Sequence, residues 1–347
     1  MSSEKFYSDE KFLDFKDVLV IPTFSKLNSR SQVDLETDIK FKNGYEWRGI
    51  PIIAANMTTT GTFEIYNILS KLKIITALHK FYKYTDYQEY LKYNILNPDY
   101  FMISTGISDN DYQNLNEILS NINCKFICID IANGYIENFY SFCKKVRDKY
   151  PDKIIIAGNV VTSEAVKKLA SIGIDIVKLG IGPGSACTTR IQTGIGMPQL
   201  SCILESVSIA KKNGIYLISD GGITCPGDCV KAYVAGADLV MIGGELSGHD
   251  ENPGSIIEEN GNKYKLFYGM SSQYAMNNNY NTIKDYRSSE GRVLKIKYKG
   301  PLHKTMENYL GGIRSACTYT NSKSIGHLSV NGKFIKVNNQ YNSHLVK

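Results

Sequence analysis

Ile176-Val177-Lys178-Leu179-Gly180-Ile181-Gly182-Pro183-Gly184-Ser185-Ala186-Cys187-Thr188-Thr189-Arg190 opens as a short apolar strand, breaks into three glycines and a proline, and then presents a thiol, two hydroxyls and a guanidinium. That order suits a nucleophile displayed on a shaped loop at a strand end. Glycines let the backbone approach a ligand and turn amides toward an anion, and a fixed cation beside hydroxyls favours the thiolate. An inert buried cysteine is the commoner fate of a single thiol, but the Gly-x-Gly-Pro-Gly lead-in and the Thr-Thr-Arg tail argue against it here.

The same rhythm of apolar run, break and amphipathic segment continues on both sides. Runs at Ile50 to Ala55, Ile74 to Leu78, Phe101 to Ser104, Phe126 to Asp130, Ile154 to Gly158, Ile176 to Leu179, Tyr216 to Ser219 and Leu239 to Ile242 each stop at glycine or a polar residue. Helical patterns fill most gaps, at Phe63 to Leu72, Asp111 to Ile122, Ile136 to Tyr150, Ser163 to Ile172, Gln199 to Asn213 and Gly227 to Ala235, with a last one at Leu302 to Arg314. Eight alternations within about 250 residues predict an α/β fold, a single (β/α)8 TIM barrel, rather than an open sheet. Residues 1–49 read as a cap over a barrel end, and Glu245 to Pro301, after the eighth strand, as an excursion over the catalytic face. A hairpin is expected near Gly261 and a mobile flap over 271–300. No inserted domain interrupts the alternation, so 1–347 reads as one catalytic domain.

Composition narrows the function. A net charge of +6 with 21% charged residues is a mild, dispersed excess that suits small anionic substrates better than nucleic acid. No apolar run has bilayer length, and Met1-Ser2-Ser3-Glu4-Lys5 lacks a signal-peptide pattern, so a cytoplasmic protein without a membrane partner is expected. The eight cysteines are diluted in a long chain and read as reduced thiols. Cys225 and Cys229 have no partner pair at zinc spacing.

A barrel places its chemistry at the strand C-termini. Those are Asn56, His79-Lys80, Asp130 with Asn133, Asn159, the loop from Gly180 to Arg190, Asp220-Gly221-Gly222 and Gly243-Gly244. Double glycines after strands seven and eight are where such barrels bind phosphate through backbone amides, and Asp220 beside the first can accept ribose hydroxyls. Together they point to a nucleotide. Gly180-Ile181-Gly182-Pro183-Gly184-Ser185 is not a dinucleotide fingerprint, since its third glycine is misplaced and no helix is expected to open there. A Rossmann domain is disfavoured, and a nicotinamide would bind across the barrel mouth.

The chain resembles the reductase members of the inosine and guanosine monophosphate oxidoreductase family. The resemblance is carried by Leu13-Asp14-Phe15-Lys16-Asp17-Val18-Leu19, Gly180 to Arg190, Gly194-Ile195-Gly196-Met197-Pro198-Gln199, Ser219-Asp220-Gly221-Gly222, Phe267-Tyr268-Gly269-Met270-Ser271-Ser272 and Tyr286-Arg287-Ser288-Ser289-Glu290-Gly291. It implies reduction of GMP by NADPH to IMP with loss of ammonia, through a covalent thioimidate on Cys187. Thr189 and Glu290 match the family's proton relay, and Lys80 matches a residue beside the cofactor.

Carried over in the same way, Ser185, Asp220, Gly221, Gly222, Gly243, Gly244, Gly269, Met270, Ser271, Arg287, Ser288, Ser289, Glu290 and Gly291 would line the substrate. Ser29, Arg30, Lys80, Asp130, Ile131, Ala132, Gly180, Ile181, Gly182, Met270, Tyr286, Arg287, Ser315, Ala316, Cys317 and Thr318 would touch NADPH, a neighbouring subunit of a homotetramer supplying some of them. A solvated arm is the alternative for Ser29 and Arg30. Carbonyls of Gly182, Gly184 and Cys187, with Arg190 nearby, would ring a monovalent cation, K+. Lys295, Lys297 and Lys299 could meet the 2'-phosphate of NADPH or simply mark a solvated strand face.

One departure stands out: Thr58 follows Met57 where the family usually has aspartate, so a hydrogen bond is lost or taken over by a hydroxyl. Ala186 replaces a commoner Val or Ile. The nearest rival is the dehydrogenase branch, which oxidises IMP with NAD. Only about twenty residues follow Lys80 before the third strand, leaving no room for that branch's usual regulatory insert. Nor does the chain contain an Arg-Tyr dipeptide, which that branch uses to activate water. A non-catalytic purine-nucleotide-binding barrel is the other alternative, disfavoured by the intact Cys187, Thr189, Glu290 and Lys80.

Overall fold

A computed structural model describes residues 7, 11–272, 274–275 and 289–338. The N-terminal segment carries β1 (Val18–Val20), β2 (Thr37–Lys40) and β3 (Glu46–Gly49). The wall follows as β4 (Ile52–Ala54), β5 (Ile75–Leu78), β6 (Phe101–Thr105), β7 (Phe126–Asp130), β8 (Ile154–Val160), β9 (Ile176–Leu179), β10 (Tyr216–Asp220) and β11 (Leu239–Ile242). All eight are parallel, and β11 pairs back onto β4 through Val240 with Ile52 and Ile242 with Ala54, closing the barrel. Every residue of β4, β5, β6, β9 and β11 is buried, because helices cover the outside of the wall and side chains fill the inside. That is why these strands read as continuous apolar runs rather than alternating ones.

The outer layer is α1 (Phe63–Leu69), α2 (Tyr84–Leu91), α3 (Asp109–Asn121), α4 (Glu137–Lys149), α5 (Ser163–Ile172), α7 (Gln199–Asn213), α8 (Pro226–Ala235) and the C-terminal helix Leu302–Tyr319, with a short α6 (Thr189–Thr193) at the mouth. α5 shows how sequence sets such a helix. The Thr162 hydroxyl caps it by accepting from the Ala165 amide at 3.3 Å, Ala165, Val166 and Leu169 face the wall, and Gly173 ends it in the left-handed region. The last helix runs beyond the expected stop at Arg314 to Tyr319, because Cys317 is still buried on its inner face and nothing in Ser315-Ala316-Cys317-Thr318 breaks a helix.

β2 and β3 form a hairpin across the barrel floor. Trp47 is 2% exposed, packs with Ile39 and Phe41 against Ile53, Phe126, Ile154 and Ile176, and donates its indole N–H to the Asp99 carbonyl at 2.8 Å. β1 instead lies on the flank, paired antiparallel with β15 (Phe334–Lys336) beside α8.

The excursion after β11 builds its own sheet. β12 (Ile257–Glu259) turns at Asn260-Gly261 into β13 (Asn262–Tyr268), which also pairs antiparallel with β14 (Val293–Lys297). The expectation of a flap through residue 300 is therefore corrected at its end. Val293, Lys295 and Lys297 face solvent while Leu294 and Ile296 turn inward, the period-two pattern of a half-covered strand. Lys295 pairs with Glu259 across that exposed face, the solvated-strand reading of these lysines.

Candidate active site

Cys187 lies where the loop after β9 turns into α6. Its amide donates to the Gly184 carbonyl at 3.0 Å, which tightens the loop and leaves the thiol half-buried. Six other cysteines are buried, and burial pushes the thiols of Cys124, Cys128 and Cys317 up to about 12. The expectation that no helix opens here is corrected: α6 begins two residues after the thiol, its single turn ending at Gly194.

The Cys187 thiol lies 3.2 Å from the Thr189 hydroxyl, which lies 2.7 Å from Oε2 of Glu290. A carboxylate can only accept, so Thr189 donates to Glu290 and turns its oxygen lone pair toward the thiol proton. Glu290 arrives by backbone pairing. Gly291 bridges Cys187, the Thr188 amide donates to the Glu290 carbonyl at 2.9 Å, and the Arg292 amide donates to the Ala186 carbonyl at 3.0 Å. The Arg292 guanidinium adds bonds to the Ser185 carbonyl at 2.9 and 3.0 Å. Behind this seam, Gly291 also bridges Ser272, the Gly269 amide donates to the Arg292 carbonyl at 3.2 Å, and the Ser289 hydroxyl donates to the Gly291 carbonyl at 2.9 Å. Gly269, Met270, Ser271, Ser289, Glu290 and Gly291 are thus gathered against the cysteine loop. The Thr58 hydroxyl reaches the Tyr268 hydroxyl at 3.3 Å and the Met270 sulfur at 3.6 Å, so it ties the end of β4 to the excursion.

Across the mouth, the double glycines close on the same loop. Gly221 has φ +91°, and a Cβ there would come within 2.8 Å of Pro183 and 3.1 Å of the Gly184 nitrogen. A Cβ on Gly244 would lie 2.7 Å from the Ser185 hydroxyl. Gly221 and Gly222 thus pack against Pro183 of the cysteine loop, and Gly244 packs against its Ser185.

Deeper in the wall, Lys178 is 2% exposed and bonds Asp130 Oδ1 at 2.5 Å and Asp220 Oδ2 at 2.7 Å. Asn159 donates to the same Asp220 oxygen at 2.9 Å. Burial works against the Lys178 ammonium, but the two carboxylates outweigh it and hold the group well above the ordinary lysine range. Burial likewise opposes the Asp130 charge, yet Lys178, backed by Lys80 and Asn56, keeps that carboxyl below its ordinary value. Burial lowers His79, next to Lys80, to about 4, so its ring is neutral where it stacks on Tyr82 with centroids 3.9 Å apart. Sequence reasoning passed over Lys178, although a lysine inside an apolar strand was itself a signal.

Arg190 ties the loop to the N-terminal segment. Its guanidinium meets Asp14 at 3.2 Å and the Met197 carbonyl at 2.5 Å, and its side chain lies against Gly182. Asp14 also accepts the Gln199 amide at 2.9 Å, which joins three of the quoted motifs at one carboxylate.

The remaining positions divide. Asp130 ends β7, and Lys80, Ile131, Ala132, Gly180, Ile181 and Gly182 follow wall strands at the mouth. Ser29 and Arg30 lie at a short 3-10 turn that packs on the C-terminal helix, whose last turns carry Ser315 to Thr318. That helix begins at Leu302, so these turns lie roughly 20 to 24 Å along its axis from the end that follows the mouth. Tyr286, Arg287 and Ser288 fall outside the described residues.

The family model described as "IMP dehydrogenase / GMP reductase domain" matches residues 12–344. The chain is 48% identical over 335 residues to a protein of Enterobacter sp. (strain 638) named GMP reductase, covering 95% of this chain and 96% of that one. It is also 48% identical over 332 residues to GMP reductase 2 of Homo sapiens, with 95% of each covered. The Escherichia coli O139:H28 protein named GMP reductase shares 48% over 333 residues, covering 95% and 96%.

Proposed function

The chain belongs to the IMP dehydrogenase / GMP reductase family, and from that premise we propose that it reductively deaminates GMP to IMP with release of ammonia. The observation that carries the reading is the hydrogen-bonded line from the Cys187 thiol through Thr189 to Glu290. A departing amine needs a proton delivered beside the nucleophile, and this line ends on a group that can store one.

Cys187 passes its proton through Thr189 to Glu290, and its thiolate adds to purine C2. The same relay returns the proton to the 2-amino group, which leaves as ammonia, so the thiol's own proton balances formation of the thioimidate on Cys187. NADPH, when bound, supplies the hydride that takes the amino group's place at C2, so that GMP, NADPH and two protons give IMP, NADP+ and ammonium. Cys187 leaves C2 as the C–S bond breaks and is restored as the thiol.

GMP phosphate would lie among Ser185, Gly221, Gly222, Gly243 and Gly244, its ribose on Asp220, with Arg287 and Ser288 completing the site. Asp130, at 30% side-chain exposure, is a ready acceptor for a cofactor ribose, with Lys80 beside it. Ser29, Arg30 and Ser315 to Thr318 are too far along the C-terminal helix to serve the same mouth, which favours their use by a neighbour in a homotetramer. Carbonyls of Gly182, Gly184 and Cys187 would hold K+, since neutral carbonyl oxygens suit a monovalent cation. Among the described residues no group of three or more His, Cys, Asp or Glu could hold a metal ion. The connection between Lys80 and Phe101 holds α2 alone, in keeping with one catalytic domain without a regulatory insert. Among the described residues no helix is long and apolar enough to cross a membrane, and we place the enzyme in the cytoplasm.

The test mixes purified protein with GMP and NADPH in potassium buffer and follows nicotinamide absorbance, IMP and ammonia together. Matched loss of NADPH and gain of IMP and ammonia is the expected result. NADH formed from IMP and NAD, with no turnover of GMP, would make the protein a dehydrogenase. Nucleotide binding with neither turnover would make it a non-catalytic barrel.

A further inference from the structure

We propose that Lys178 is a positioning residue that divides one ammonium between the carboxylate serving the substrate ribose and the carboxylate serving the cofactor ribose, so that affinities for the two nucleotides depend on each other. The inference rests on the reading of Asp220 and Asp130 given above. Lys178 lies on β9, Asp130 at the end of β7 and Asp220 at the end of β10, so three wall strands meet at one nitrogen.

A buried lysine in a barrel wall is costly, and an apolar residue of similar volume would usually pack there more stably. One carboxylate would be enough to neutralise it. Two are present, and both side chains are partly exposed, at 30% and 19%, while that of the lysine is 2% exposed. The lysine thus holds Oδ1 of Asp130 and Oδ2 of Asp220, and a carboxylate has acceptor capacity beyond one such bond with which to take a diol.

Without the ammonium, the two carboxylates that share it would face each other at close range and would tend to share a proton. The charged and titratable groups around the nitrogen are Asp130 and Cys128 of β7 and Asp220 of β10, with Lys80 acting on the far side of Asp130. Cys128 is buried, with its thiol pushed up to about 12, and so adds no charge. The pair therefore depends chiefly on Lys178 to remain doubly ionised.

Steady-state kinetics and isothermal titration with GMP and with NADPH test this. Lys178→Met is expected to raise KM and Kd for both nucleotides by about tenfold or more, with a smaller change in kcat, as loss of a charge-assisted partner implies. Its activity should also fall as pH is lowered from about 8 to about 6, a limb absent from the unsubstituted chain. Lys178→Arg, which keeps the charge, should remove that limb.

If Lys178→Met does not fold, Asp130→Asn carries the test. It leaves the ammonium wholly to Asp220, and GMP affinity should drop together with NADPH affinity. Unchanged affinities and pH profile in Lys178→Met, or loss of NADPH affinity alone in Asp130→Asn, overturn the inference while leaving the function intact. Wild-type affinities in both Asp130→Asn and Asp220→Asn would overturn the ribose assignments themselves.

Discussion

A half-buried thiol with a hydroxyl at 3.2 Å and a carboxylate 2.7 Å beyond it separates two tasks that mutation can read apart. Under the proposed mechanism, Cys187→Ala removes the covalent path. Its NADPH consumption with GMP should fall by at least about a thousandfold, the scale on which losing a covalent nucleophile is measured, while GMP binding by titration changes little. Continued turnover would exclude the thioimidate. Glu290→Gln keeps the shape but cannot store a proton, so ammonia release in a single turnover should slow by roughly a hundredfold or more, with nucleotide affinity nearly unchanged. Weakened GMP affinity with a normal chemical rate would instead make Glu290 a binding residue. At this scale the sequence was most legible where a residue type is rare in its setting, as with a cysteine among glycines. Lys178 was overlooked because its meaning depends on Asp130 and Asp220, which lie 48 and 42 positions away in the chain and meet it only when the wall closes.

Elements were legible where one face is apolar and both ends are punctuated, and less so where the boundary depends on a distant partner. β14 is such a case. Its alternation spans only Val293–Lys297, and its backbone finds a partner only when β13 pairs along its edge. The wall also relies on stitches between elements that no local pattern announces. Arg147, at the end of α4, donates to the carbonyls of Tyr150, Pro151, Lys153 and Gly173 and pairs with Asp175 ahead of β9. Both side chains are mostly buried, at 16% and 12% exposure. Arg147→Met should therefore cost roughly 3 kcal/mol, since Asp175 and several carbonyls lose their partner. Chemical denaturation would register this as a lower midpoint at unchanged slope, with KM for GMP preserved because the stitch is remote from Cys187. A change below about 0.5 kcal/mol would show that water replaces the guanidinium.

For the whole molecule, eight repeats of strand and helix made the barrel readable, because a parallel wall buried on both faces must be written in continuous apolar runs. How the ends are closed was harder to see. Trp47, the chain's single tryptophan, stands within a short polar stretch and becomes part of the floor only through packing against four wall strands. Trp47→Ala should cost about 3–5 kcal/mol, measured by circular dichroism since the substitution removes the tryptophan signal. In the unsubstituted chain, indole emission should shift to the red at the same denaturant concentration at which helical signal is lost. An earlier fluorescence transition would mean that the floor opens independently of the wall.

The relay joins the wall across a long interval of chain, and that has a consequence during synthesis. The last wall strand ends at Ile242, whereas Glu290 lies beyond β12 and β13. A ribosome that has made all eight strands has therefore made the sulfur but not yet its proton acceptor. The nascent chain therefore passes through a stage in which all eight wall strands exist while Cys187 and Thr189 still lack the carboxylate that the proposed relay needs.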